Sequence, residues 1–553
     1  MTTPSTQLRT GFRLDDLNKL GVSITRLTSD SRMVQAGDTF VAYPGTQADG
    51  RNFIMQAIER GANAVIWDAH GFEWNGKWTV PNLAVHDLKQ QAGFLADHVY
   101  GHPSQKLWMV GVTGTNGKTS ISHWLSRTFN ALGRKSAVLG TLGNGFPAAL
   151  QATANTTPDA LLVHGLLAEY EQQGAQSVAM EVSSHALVQG RVNGVNFDVA
   201  LLTNLTRDHL DFHGDMQSYA AAKRRLFDWE KLKYAVLNLD DDFGAELAEE
   251  LVLGDASPSP LPNPLSETTS HSTRLQNTAA KSLVIPQAGE GANDPLRGYS
   301  NLEVIGYGLD NESLKLAERL GIRMVYGTLA HFDAQGLILQ LHTSWGAAAM
   351  QSKLIGRFNA SNLLGALAVL LVSEVGLDDA ARELGLQKAV AGRMQTLGSK
   401  GTPAVVVDYA HTPDALEKVL NTLREVTEPS GGKVICVFGC GGDRDRGKRP
   451  MMGTVASKFA DVRIITSDNP RSEEPREIIN AIVAGMQGEY QVIEDRARAI
   501  THAINKAQAN DTVLLAGKGH EDYQEIKGER HPFSDGEIAH RALSMWKPEE
   551  RWL

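Results

Sequence analysis

A glycine-rich turn that carries a lysine is the clearest chemical feature of the sequence. Residues 111–120 read GVTGTNGKTS and lie between an apolar, strand-like run and a segment with helical spacing. Backbone N–H groups in such a turn can hold nucleotide phosphates, Lys118 can meet the β and γ oxygens, and Thr119 can ligate magnesium. The strict motif requires a small residue in place of Val112, so the loop is a variant. A phosphate loop alone leaves kinases, GTPases, ATPase motors and ligases open.

Carboxylate, imidazole and amine groups follow the loop along the chain. They are Glu181, Ser183, His185, Gln189 and Arg191 in AMEVSSHALVQGR, and Asp208, His209 and Lys223 in TNLTRDHLDFHGDMQSYAAAK. Magnesium prefers oxygen ligands, which makes Glu181 and Thr119 a natural pair, and a neutral imidazole can join them. A lone histidine is more often structural. Two polar strand ends that face a phosphate loop nevertheless favour a metal role for Glu181 and His209.

The elements that must position these groups resemble a parallel sheet. Apolar strand candidates with polar ends surround the loop: LWMVGV, AVLGTLG, SVAMEVSS, VALLTNLT and YAVLNLDD. Open parallel sheets bind ligands at the carboxyl ends of their strands. We therefore predict a central ATP-binding domain, built on a phosphate-loop parallel sheet, over residues 105–351.

Two further domains are predicted on either side of this sheet. Residues 1–104 alternate the strand-like DTFVAYPG, the helical FIMQAIERGA and the strand-like NAVIWDA, which predicts a small α/β domain. Residues 352–553 begin with the helical GRFNASNLLGALAVLLVSEVG and continue with the strand candidates AVVVDYA, KVICVFG, VRIITSD and DTVLLAG. This second alternation predicts a Rossmann-like domain, so the predicted fold class is α/β with three domains.

One segment differs from the rest in composition. Residues 254–300 include GDASPSPLPNPLSETTSHSTRLQNT, which is rich in Ser, Pro and Thr and can bury little apolar surface. We expect a flexible surface insertion without a direct catalytic role.

Charge and composition exclude several classes of protein. The net charge of -10 argues against a dedicated nucleic-acid binder, and no window approaches the apolar length of a membrane span. The N-terminus has no apolar signal region. Cys436 and Cys440 lack further zinc ligands nearby and are expected to be buried or turn thiols. We expect a cytoplasmic monomer whose partners are small molecules.

Several ordered motifs together resemble the Mur ligase family. They are GTNGKTS, EVSSHALVQGR, TNLTRDHLDFHG with a lysine soon after, GRFNASN, AGRM and DYAHTPDAL. The resemblance covers essentially the whole chain except residues 254–300. A second set, SDSR, GTQADGR, ANTTPD, FGCGGDRDRGKRP, DNPRSEEP and AGKGHEDYQ, resembles the family members that add the third residue of the peptide stem.

This resemblance implies ATP-dependent addition of meso-diaminopimelate to the D-glutamate of UDP-N-acetylmuramoyl-L-alanyl-D-glutamate in peptidoglycan biosynthesis. It implies transfer of the γ-phosphate of ATP to a substrate carboxylate, which converts a poor electrophile into an acyl phosphate that an amine can attack. It also implies two Mg²⁺ ions that neutralise the transferring charge. Because the loop and the ATP-binding residues of the third domain belong to different domains, catalysis is expected to need domain closure.

The resemblance assigns roles residue by residue. The implied catalytic residues are Lys118, Lys223, His209 and Arg393. The implied ATP-binding residues are Gly114, Thr115, Asn116, Gly117, Lys118, Thr119, Ser120, Asn362, Arg393 at phosphate, and Asp408 at ribose. The implied metal ligands are Thr119, Glu181, His209 and Lys223, the last as the carbamate N6-carboxylysine. The implied contacts to the UDP-linked substrate are Ser29, Ser31, Thr46, Gln47, Ala48, Asn155, Thr156, Thr157, Ser183, Gln189 and Arg191.

The segment DNPR, residues 468–471, bears on which amino acid is added. It resembles the form in diaminopimelate-adding members, and an arginine reads the additional carboxylate of diaminopimelate with a planar two-point fork. The implied diaminopimelate-binding residues are Arg444, Asp468, Asn469, Pro470, Arg471, Gly517 and Glu521. The alternatives are the same ligase with L-lysine as the added amino acid, and a non-catalytic, nucleotide-regulated binding protein.

Overall fold

The computed structural model describes residues 14–45, 48–153, 155–254, 302–333, 336–399 and 401–547. Thr46 and Gln47 of the predicted UDP-substrate set lie outside these described residues. So does the predicted surface insertion, apart from its first residue, Gly254.

The chain forms two compact units. The first unit comprises Met1–Thr113, Ser122–Leu201 and Ala222–Ala235, and the second comprises Gly114–Ile121, Leu202–Ala221 and Val236–Leu553. Neither unit coincides with one of the three predicted domains, whose boundaries stay a prediction.

A small parallel sheet opens the first unit. Its four strands, in the order β1-β2-β3-β4, are β1 (Leu27–Thr28), β2 (Thr39–Ala42), β3 (Ala64–Asp68) and β4 (Asn82–Val85). The helices of this part are α1 (Ile54–Glu59) and α2 (Leu88–Val99). β2, β3 and α1 confirm the elements predicted from DTFVAYPG, NAVIWDA and FIMQAIERGA.

The strands around the phosphate loop continue the first unit. They are β5 (Trp108–Thr113), β6 (Ser136–Gly140), β7 (Gly143–Phe146), β8 (Ala149–Gln151), β9 (Ser177–Glu181) and β10 (Val199–Leu202), in the order β10-β5-β9-β6-β7-β8. Pairing of β5, β9 and β6 is parallel, whereas β6, β7 and β8 pair antiparallel. Helix α3 (Lys118–Ala131) begins at the loop, and α4 (Ala160–Gln172) and α5 (Ser184–Val188) follow.

The second unit contains a group of strands that is only partly parallel. Its strands are β11 (Tyr234–Asn238), β12 (Glu303–Gly308), β13 (Arg323–Asp333), β14 (Gly336–Thr343) and β15 (Gly346–Ser352), in that order. β12 and β13 pair parallel, but β13, β14 and β15 form an antiparallel meander that was not predicted from the sequence. The helices of this part are α6 (Leu210–His213), α8 (Asp242–Leu253), α9 (Asn311–Leu320), α10 (Arg357–Val372) and α11 (Leu377–Gly385). Helix α7 (Met216–Arg224) begins in the second unit, and its last three residues belong to the first.

A six-stranded sheet forms the C-terminal part of the second unit. Its strands are β16 (Gln395–Leu397), β17 (Ala404–Asp408), β18 (Val434–Phe438), β19 (Val462–Ile465), β20 (Gln491–Val492) and β21 (Thr512–Ala516), in the order β16-β17-β21-β18-β19-β20. All pairings are parallel except that of β16 with β17. β17, β18, β19 and β21 confirm the four strands predicted here.

Helices and a hairpin complete this Rossmann-like part. The helices are α12 (Pro413–Thr427), α13 (Lys448–Phe459), α14 (Pro475–Val483), α15 (Arg496–Lys506) and α16 (Asp535–Met545), and the hairpin strands are β22 (Tyr523–Ile526) and β23 (Glu529–Pro532). Val405 and Val407 of β17 pack into one apolar cluster, and Val406 packs into another. This period-two alternation shows that the sheet is buried on both faces.

Register places the carboxyl ends of this sheet at one edge. Asp408 pairs with Ala516, which also pairs with Phe438, and Phe438 pairs with Ile465. The predicted residues that follow these strands therefore emerge at the same edge.

Two further predictions concern the cysteines and the membrane. Cys436 and Cys440 are buried free thiols, as expected, and burial raises the pKa of each to about 12. In the part of the chain that the structure describes, every helix is too short or too polar to cross a bilayer.

Candidate active site

Two glycines set the shape of the phosphate loop in the second unit. Gly114 and Gly117 have φ values of 139° and 88°, where side chains other than that of glycine are strained. A Cβ on Gly114 would lie 1.8 Å from Thr203 Oγ1, and one on Gly117 would lie 2.5 Å from Asn362 Oδ1. The close approach of Asn362 brings a predicted ATP residue against the loop.

The lysine of the loop folds back over its own turn. Lys118 Nζ donates to the carbonyl oxygens of Gly114 at 2.8 Å and Thr115 at 2.9 Å. The Asn116 backbone N–H donates to Asn204 Oδ1 at 3.0 Å, and its side chain donates to Asp414 at 3.3 Å. The ammonium group is thus held by carbonyl dipoles, which a phosphate oxygen can replace.

Residues far apart in sequence line one cavity beside this loop, which we call the nucleotide cavity. Its volume is about 420 Å³. Among the predicted ATP residues it is lined by Asn116, Gly117, Ser120, Asn362, Arg393 and Asp408. The Arg393 guanidinium reaches Thr119 Oγ1 at 3.3 Å, which joins the AGRM segment to the start of α3.

Asp408 is fixed by backbone donors. Its two carboxylate oxygens accept from the N–H groups of Met394 and Ala410, each at 2.7 Å. Burial raises the pKa of this carboxyl group above its usual value, although Arg393 and the two N–H groups act in the opposite direction. The position at the end of β17 suits a carboxylate that accepts a hydroxyl hydrogen bond.

The cavity also contains residues that the sequence analysis did not select. They include Asn204, Asn238, Asp241, Tyr409 and Lys418. Burial raises the pKa of Asp241 to about 6. Asn238 and Asp241 belong to YAVLNLDD, whose polar strand end was recognised as a place for chemistry without being assigned a role.

His209 lies in a cluster with Asp208 and His411. Its backbone has a φ of 54°, its N–H donates to Asp208 Oδ1 at 2.9 Å, and its ring lies 3.4 Å from Asp208 Oδ2. His411 Nε2 lies 3.6 Å from the same oxygen. Burial acts to raise the pKa of Asp208, but His411, His209 and Lys448 outweigh it and lower that pKa well below its usual value. His411 was not selected as a site residue.

Glu181 ends β9 in the first unit and is fully buried, with 0% exposure. One carboxylate oxygen accepts from the Thr141 N–H at 2.7 Å, and the other accepts from the Thr141 hydroxyl at 3.1 Å. A Cβ on Gly140 would lie 2.2 Å from Glu181 Oε1, so glycine leaves room for this carboxylate. Thr141 was not predicted as a site residue from the sequence.

Lys223 of α7 is only 1% exposed and is therefore a buried lysine. A buried amine is the kind that can lose its proton and accept a carbamate. Among the described residues no three His, Cys, Asp or Glu side chains are grouped to hold a metal. The predicted ligand set instead relies on the Thr119 hydroxyl and the Lys223 carbamate, whose oxygens suit Mg²⁺.

The predicted UDP-substrate residues of the first unit form a hydrogen-bonded chain. Arg191 donates to the Thr157 carbonyl at 2.8 Å and to Gln189 Oε1 at 2.8 and 3.0 Å. The Thr157 hydroxyl donates to the Glu181 carbonyl at 2.8 Å and accepts from the Ser183 N–H at 3.1 Å. The segment with these predicted substrate contacts is thereby tied to the strand end that carries Glu181.

Other members of this set are more scattered. Thr156 accepts from the Thr141 hydroxyl at 3.1 Å, and Ser31 donates to Gln56 at 2.6 Å. Ala48 is exposed, and the backbone N–H of Asn155 lies 3.5 Å from its acceptor, Thr153 Oγ1. The structure therefore does not bring Ser31 and Ala48 into the Arg191 chain.

A buried group near Arg191 was missed. Burial raises the pKa of Tyr43 to about 12, with smaller effects from Asp159, from a hydrogen bond with Ser29 and from Arg191. Burial also raises the pKa of Asp159 and lowers that of Arg191. Ser29 thus belongs to the surroundings of Arg191 through Tyr43, a link that no sequence spacing reveals.

Three of the predicted diaminopimelate residues in the second unit, Asn469, Arg471 and Glu521, form a compact group with Lys518, which we call the amino-acid cluster. Lys518 is 0% exposed and donates to Asn469 Oδ1 at 2.9 Å and Glu521 Oε2 at 3.2 Å. Asn469 Nδ2 donates to the same Glu521 oxygen at 2.7 Å. Lys518, which the sequence analysis did not select, therefore sets the orientation of the Asn469 amide.

Arg471 is held in an unusual backbone conformation, with a φ of 52°. Its Nη1 donates to the Gly442 carbonyl at 2.8 Å, and its Nε lies 3.5 Å from Glu525. Such strain in a residue other than glycine is typical of functional sites. A Cβ on Gly441 would lie 2.9 Å from Arg471 Nη1 and 3.8 Å from Arg444 Cγ, which brings the two predicted arginines around one glycine.

The remaining members of the set adjoin the cluster. Asp468 and Asn469 are buried at the end of β19, and the Pro470 carbonyl accepts from the Glu473 N–H at 3.0 Å. A Cβ on Gly517 would lie 2.4 Å from Asp468 Oδ2. Both segments thus meet at the carboxyl edge of the six-stranded sheet.

Three family models match the chain in order along its length. They are the Mur ligase family, catalytic domain, over residues 23–100, the Mur ligase middle domain over residues 112–253, and the Mur ligase, glutamate ligase domain over residues 392–519. The chain belongs to the Mur ligase family.

Individual relatives and a solved structure show which members of the family the chain is similar to. The chain is 48% identical to UDP-N-acetylmuramoyl-L-alanyl-D-glutamate--2,6-diaminopimelate ligase of Chromobacterium violaceum, covering 96% of each chain. It is 45% identical to the enzyme of the same name from Nitrosomonas europaea, covering 95% of this chain and 94% of that one. A solved structure of a ligase of that name aligns with a TM-score of 0.60 and 33% identity, covering 94% and 95% of the two chains. The family expected from the motifs is confirmed.

Proposed function

We propose that the chain joins meso-diaminopimelate to the D-glutamate carboxylate of UDP-N-acetylmuramoyl-L-alanyl-D-glutamate, with conversion of ATP to ADP and phosphate, in peptidoglycan biosynthesis. One observation carries the proposal. Arg393 and Asp408, from the C-terminal part of the second unit, line the same cavity as Asn116, Gly117 and Ser120 of the phosphate loop. The similarity to diaminopimelate-adding relatives over 96% of the chain supports the choice of substrates.

The first step is transfer of the γ-phosphoryl group. A carboxylate oxygen of the substrate attacks the γ-phosphorus of ATP, ADP leaves, and an acyl phosphate forms. Lys118 exchanges its carbonyl partners at 2.8 and 2.9 Å for phosphate oxygens, and Arg393 adds a second positive charge. The Asp408 carboxylate accepts a hydrogen bond from a ribose hydroxyl group of ATP.

The proposed magnesium ligands are Thr119, Glu181, His209 and the carbamylated Lys223, whose oxygen and imidazole groups suit this cation. Bound Mg²⁺ supplies charge neutralisation to the phosphate oxygens. The Thr141 N–H and hydroxyl keep Glu181 in one orientation toward that role.

The second step is attack by the amine. The diaminopimelate nitrogen adds to the acyl carbon, a tetrahedral intermediate forms, and phosphate departs as the amide is made, with one proton lost from the nitrogen. Glu521 binds an amino group of the substrate. Asn469 and Lys518 hold the Glu521 carboxylate in place for this contact. Arg471 binds the carboxylate that lysine lacks.

The selectivity follows from the chemistry of that arginine. L-Lysine would leave Arg471 without its carboxylate. The Arg471 side chain is 20% exposed, so water screens part of the loss, and the cost is about 1 to 3 kcal/mol. This corresponds to discrimination on the order of tenfold to a hundredfold.

The test is phosphate release in reactions with ATP, Mg²⁺ and the UDP-linked dipeptide. One reaction contains meso-diaminopimelate, a second contains L-lysine and a third contains no amine. We expect release in the first reaction alone. Release with lysine would be consistent with ligase activity but would refute the role of Arg471. Equal release without an amine would contradict ligase activity. An Arg471→Met variant is the matched control, because it should lose the preference for diaminopimelate without gaining amine-independent release.

A further inference from the structure

Three segments of the second unit meet at the side chain of Tyr409. The Arg393 guanidinium carbon lies over the Tyr409 ring, 4.4 Å from its centroid. The His520 ring packs 5.4 Å from the same centroid. Arg393 belongs to the nucleotide cavity, and His520 directly precedes Glu521 of the amino-acid cluster. Tyr409 therefore contacts Arg393 of the nucleotide cavity and His520, the residue next to Glu521 of the amino-acid cluster.

Two glycines bring the same segments into close backbone contact. Gly392 and Gly519 have φ values of 66° and 53°. A Cβ on Gly392 would lie 2.1 Å from the His520 nitrogen, and one on Gly519 would lie 2.7 Å from the Gly392 carbonyl oxygen and 2.8 Å from Tyr409 Cβ. Movement of the 517–521 loop is consequently transmitted to the Arg393 loop, because the two backbones have no free space between them.

Arg393 is held by few hydrogen bonds within the described part of the chain. Its Nε is buried and has no hydrogen-bond partner among the described residues, and its contact with Thr119 is long at 3.3 Å. The same holds for His520 Nδ1, which is buried and unpartnered within the described part of the chain. The charge of Asp408 and the aromatic face of Tyr409 therefore act together on the direction of the guanidinium.

We infer that Tyr409 is a positioning residue that couples occupation of the amino-acid cluster to the placement of Arg393 in the nucleotide cavity. The inference rests on the proposed function, since it takes ATP and diaminopimelate as the two ligands. Binding of the amine at Glu521 orders the 517–521 loop, His520 presses the Tyr409 ring, and the ring holds Arg393 toward the phosphates. The active element is the ring and not the phenolic hydroxyl.

The experiment measures binding in a complex that cannot react. Calorimetry gives the affinity for meso-diaminopimelate with the UDP-linked dipeptide present, with and without β,γ-methylene-ATP. The full-length wild type is compared with Tyr409→Phe, which keeps the ring, and Tyr409→Leu, which removes it. We expect the nucleotide analogue to tighten diaminopimelate binding at least about fivefold in the wild type and the Phe variant. In the Leu variant the factor should fall to about one, with a lower kcat and a KM for ATP within about threefold of the wild type.

Two results would contradict the role of Tyr409. A Leu variant that keeps the wild-type coupling factor, or a wild type that shows no coupling, overturns the inference. If Tyr409→Leu loses its cooperative melting transition, His520→Ala decides in its place, and full coupling in that variant overturns the inference as well. Phosphate release by the wild type that depends on the amine separates the two proposals. If this release is observed without coupling, only the role of Tyr409 is refuted. If no such release is observed, the proposed ligase activity is refuted as well.

Discussion

The nucleotide cavity and the amino-acid cluster hold their charges in different ways. In the cavity, Lys118 binds backbone carbonyls, and the contacts Arg393–Thr119 and Asn116–Asp414 are both 3.3 Å. In the cluster, Lys518 binds Asn469 at 2.9 Å, and Asn469 binds Glu521 at 2.7 Å. The cations of the first region thus have long or replaceable contacts, whereas the buried Lys518 and Asn469 of the second region have short contacts.

This difference corresponds to what each region must do. In the proposed reaction the cavity receives a polyphosphate, so its cations need partners that can be exchanged at little cost. The cluster selects an amino acid in that proposal, so its polar groups must already point in fixed directions. Substitutions in the cavity should therefore remove activity with little change in stability, and substitutions in the cluster should affect both.

The largest effect is expected for Lys118→Met. Removing the cation that meets the transferring phosphoryl group should lower kcat on the order of a thousandfold. Because Lys118 binds carbonyls of its own turn, the melting temperature should change little. Phosphate release and thermal melting measure both quantities, and Lys433→Met, at an exposed lysine, is the control. Near-normal turnover would remove the role of the loop.

Lys518→Met should be the most destabilising change. It leaves the Glu521 carboxylate without its buried cation and costs about 3 kcal/mol of unfolding free energy. The KM for diaminopimelate should also rise, because the Asn469 amide loses the donor that orients it. Urea unfolding and amine-dependent kinetics are the measurements. The surface pair Lys315–Glu312 offers the matched control, and a Lys518→Met protein as stable as Lys315→Met would refute the fixed cluster.

An acid-sensitive ion pair holds the loop next to Arg471. Arg449 binds both oxygens of Glu473 at 2.8 and 3.0 Å, and the Glu473 side chain is 7% exposed. This hydrogen bonding lowers the pKa of Glu473 from 4.5 to about 2, against the opposing effect of burial. A lowered folded-state pKa means that the stabilisation is complete above the unfolded value and is lost as the pH falls toward the folded value.

Glu473→Gln should therefore destabilise the protein by about 2 kcal/mol at neutral pH after solvent screening. The difference from the wild type should shrink by more than half when urea unfolding is repeated near pH 3. Glu489→Gln, at an exposed carboxylate, should show no such pH dependence. A difference that is constant between the two pH values would argue against the ion pair.

The smallest effect is expected at Gly441. A methyl group there would lie 2.9 Å from Arg471 Nη1, the far end of a flexible side chain that can move aside. Gly441→Ala should raise the KM for diaminopimelate about tenfold with little loss of stability. Gly376→Ala, where nothing lies within 4 Å, is the control. An unchanged KM would mean that the position of Arg471 does not matter for binding.

The sequence predicts the two regions unequally. The strand, glycine turn and helix around Lys118 were predicted because hydrophobic runs and turn residues specify them locally. The same local signals predicted the four strands β17, β18, β19 and β21. The antiparallel meander β13–β15 was missed, since its alternation was not recognised.

Contacts between distant segments could not be predicted. Two such contacts are that of Thr141 with Glu181 and that of Tyr43 with the surroundings of Arg191. The residues of each pair are far apart in the sequence, and no motif or periodic pattern connects them. Lys518 was visible in AGKGHEDYQ, but its complete burial and its hold on Asn469 depend on the register of β19 and β21 within the sheet. The positive φ of Arg471 is also a product of its surroundings, here its backbone bonds with Glu525 and Lys527.

The central claim is that ATP activates a substrate carboxylate before the amine attacks. The most direct measurement uses the UDP-linked dipeptide with ¹⁸O in the D-glutamate side-chain carboxylate, turned over with ATP and meso-diaminopimelate. An acyl phosphate transfers one substrate oxygen to the phosphate, so mass spectrometry should find one ¹⁸O in each phosphate released. Released phosphate without ¹⁸O would show that the carboxylate never bonded to phosphorus and would contradict the account.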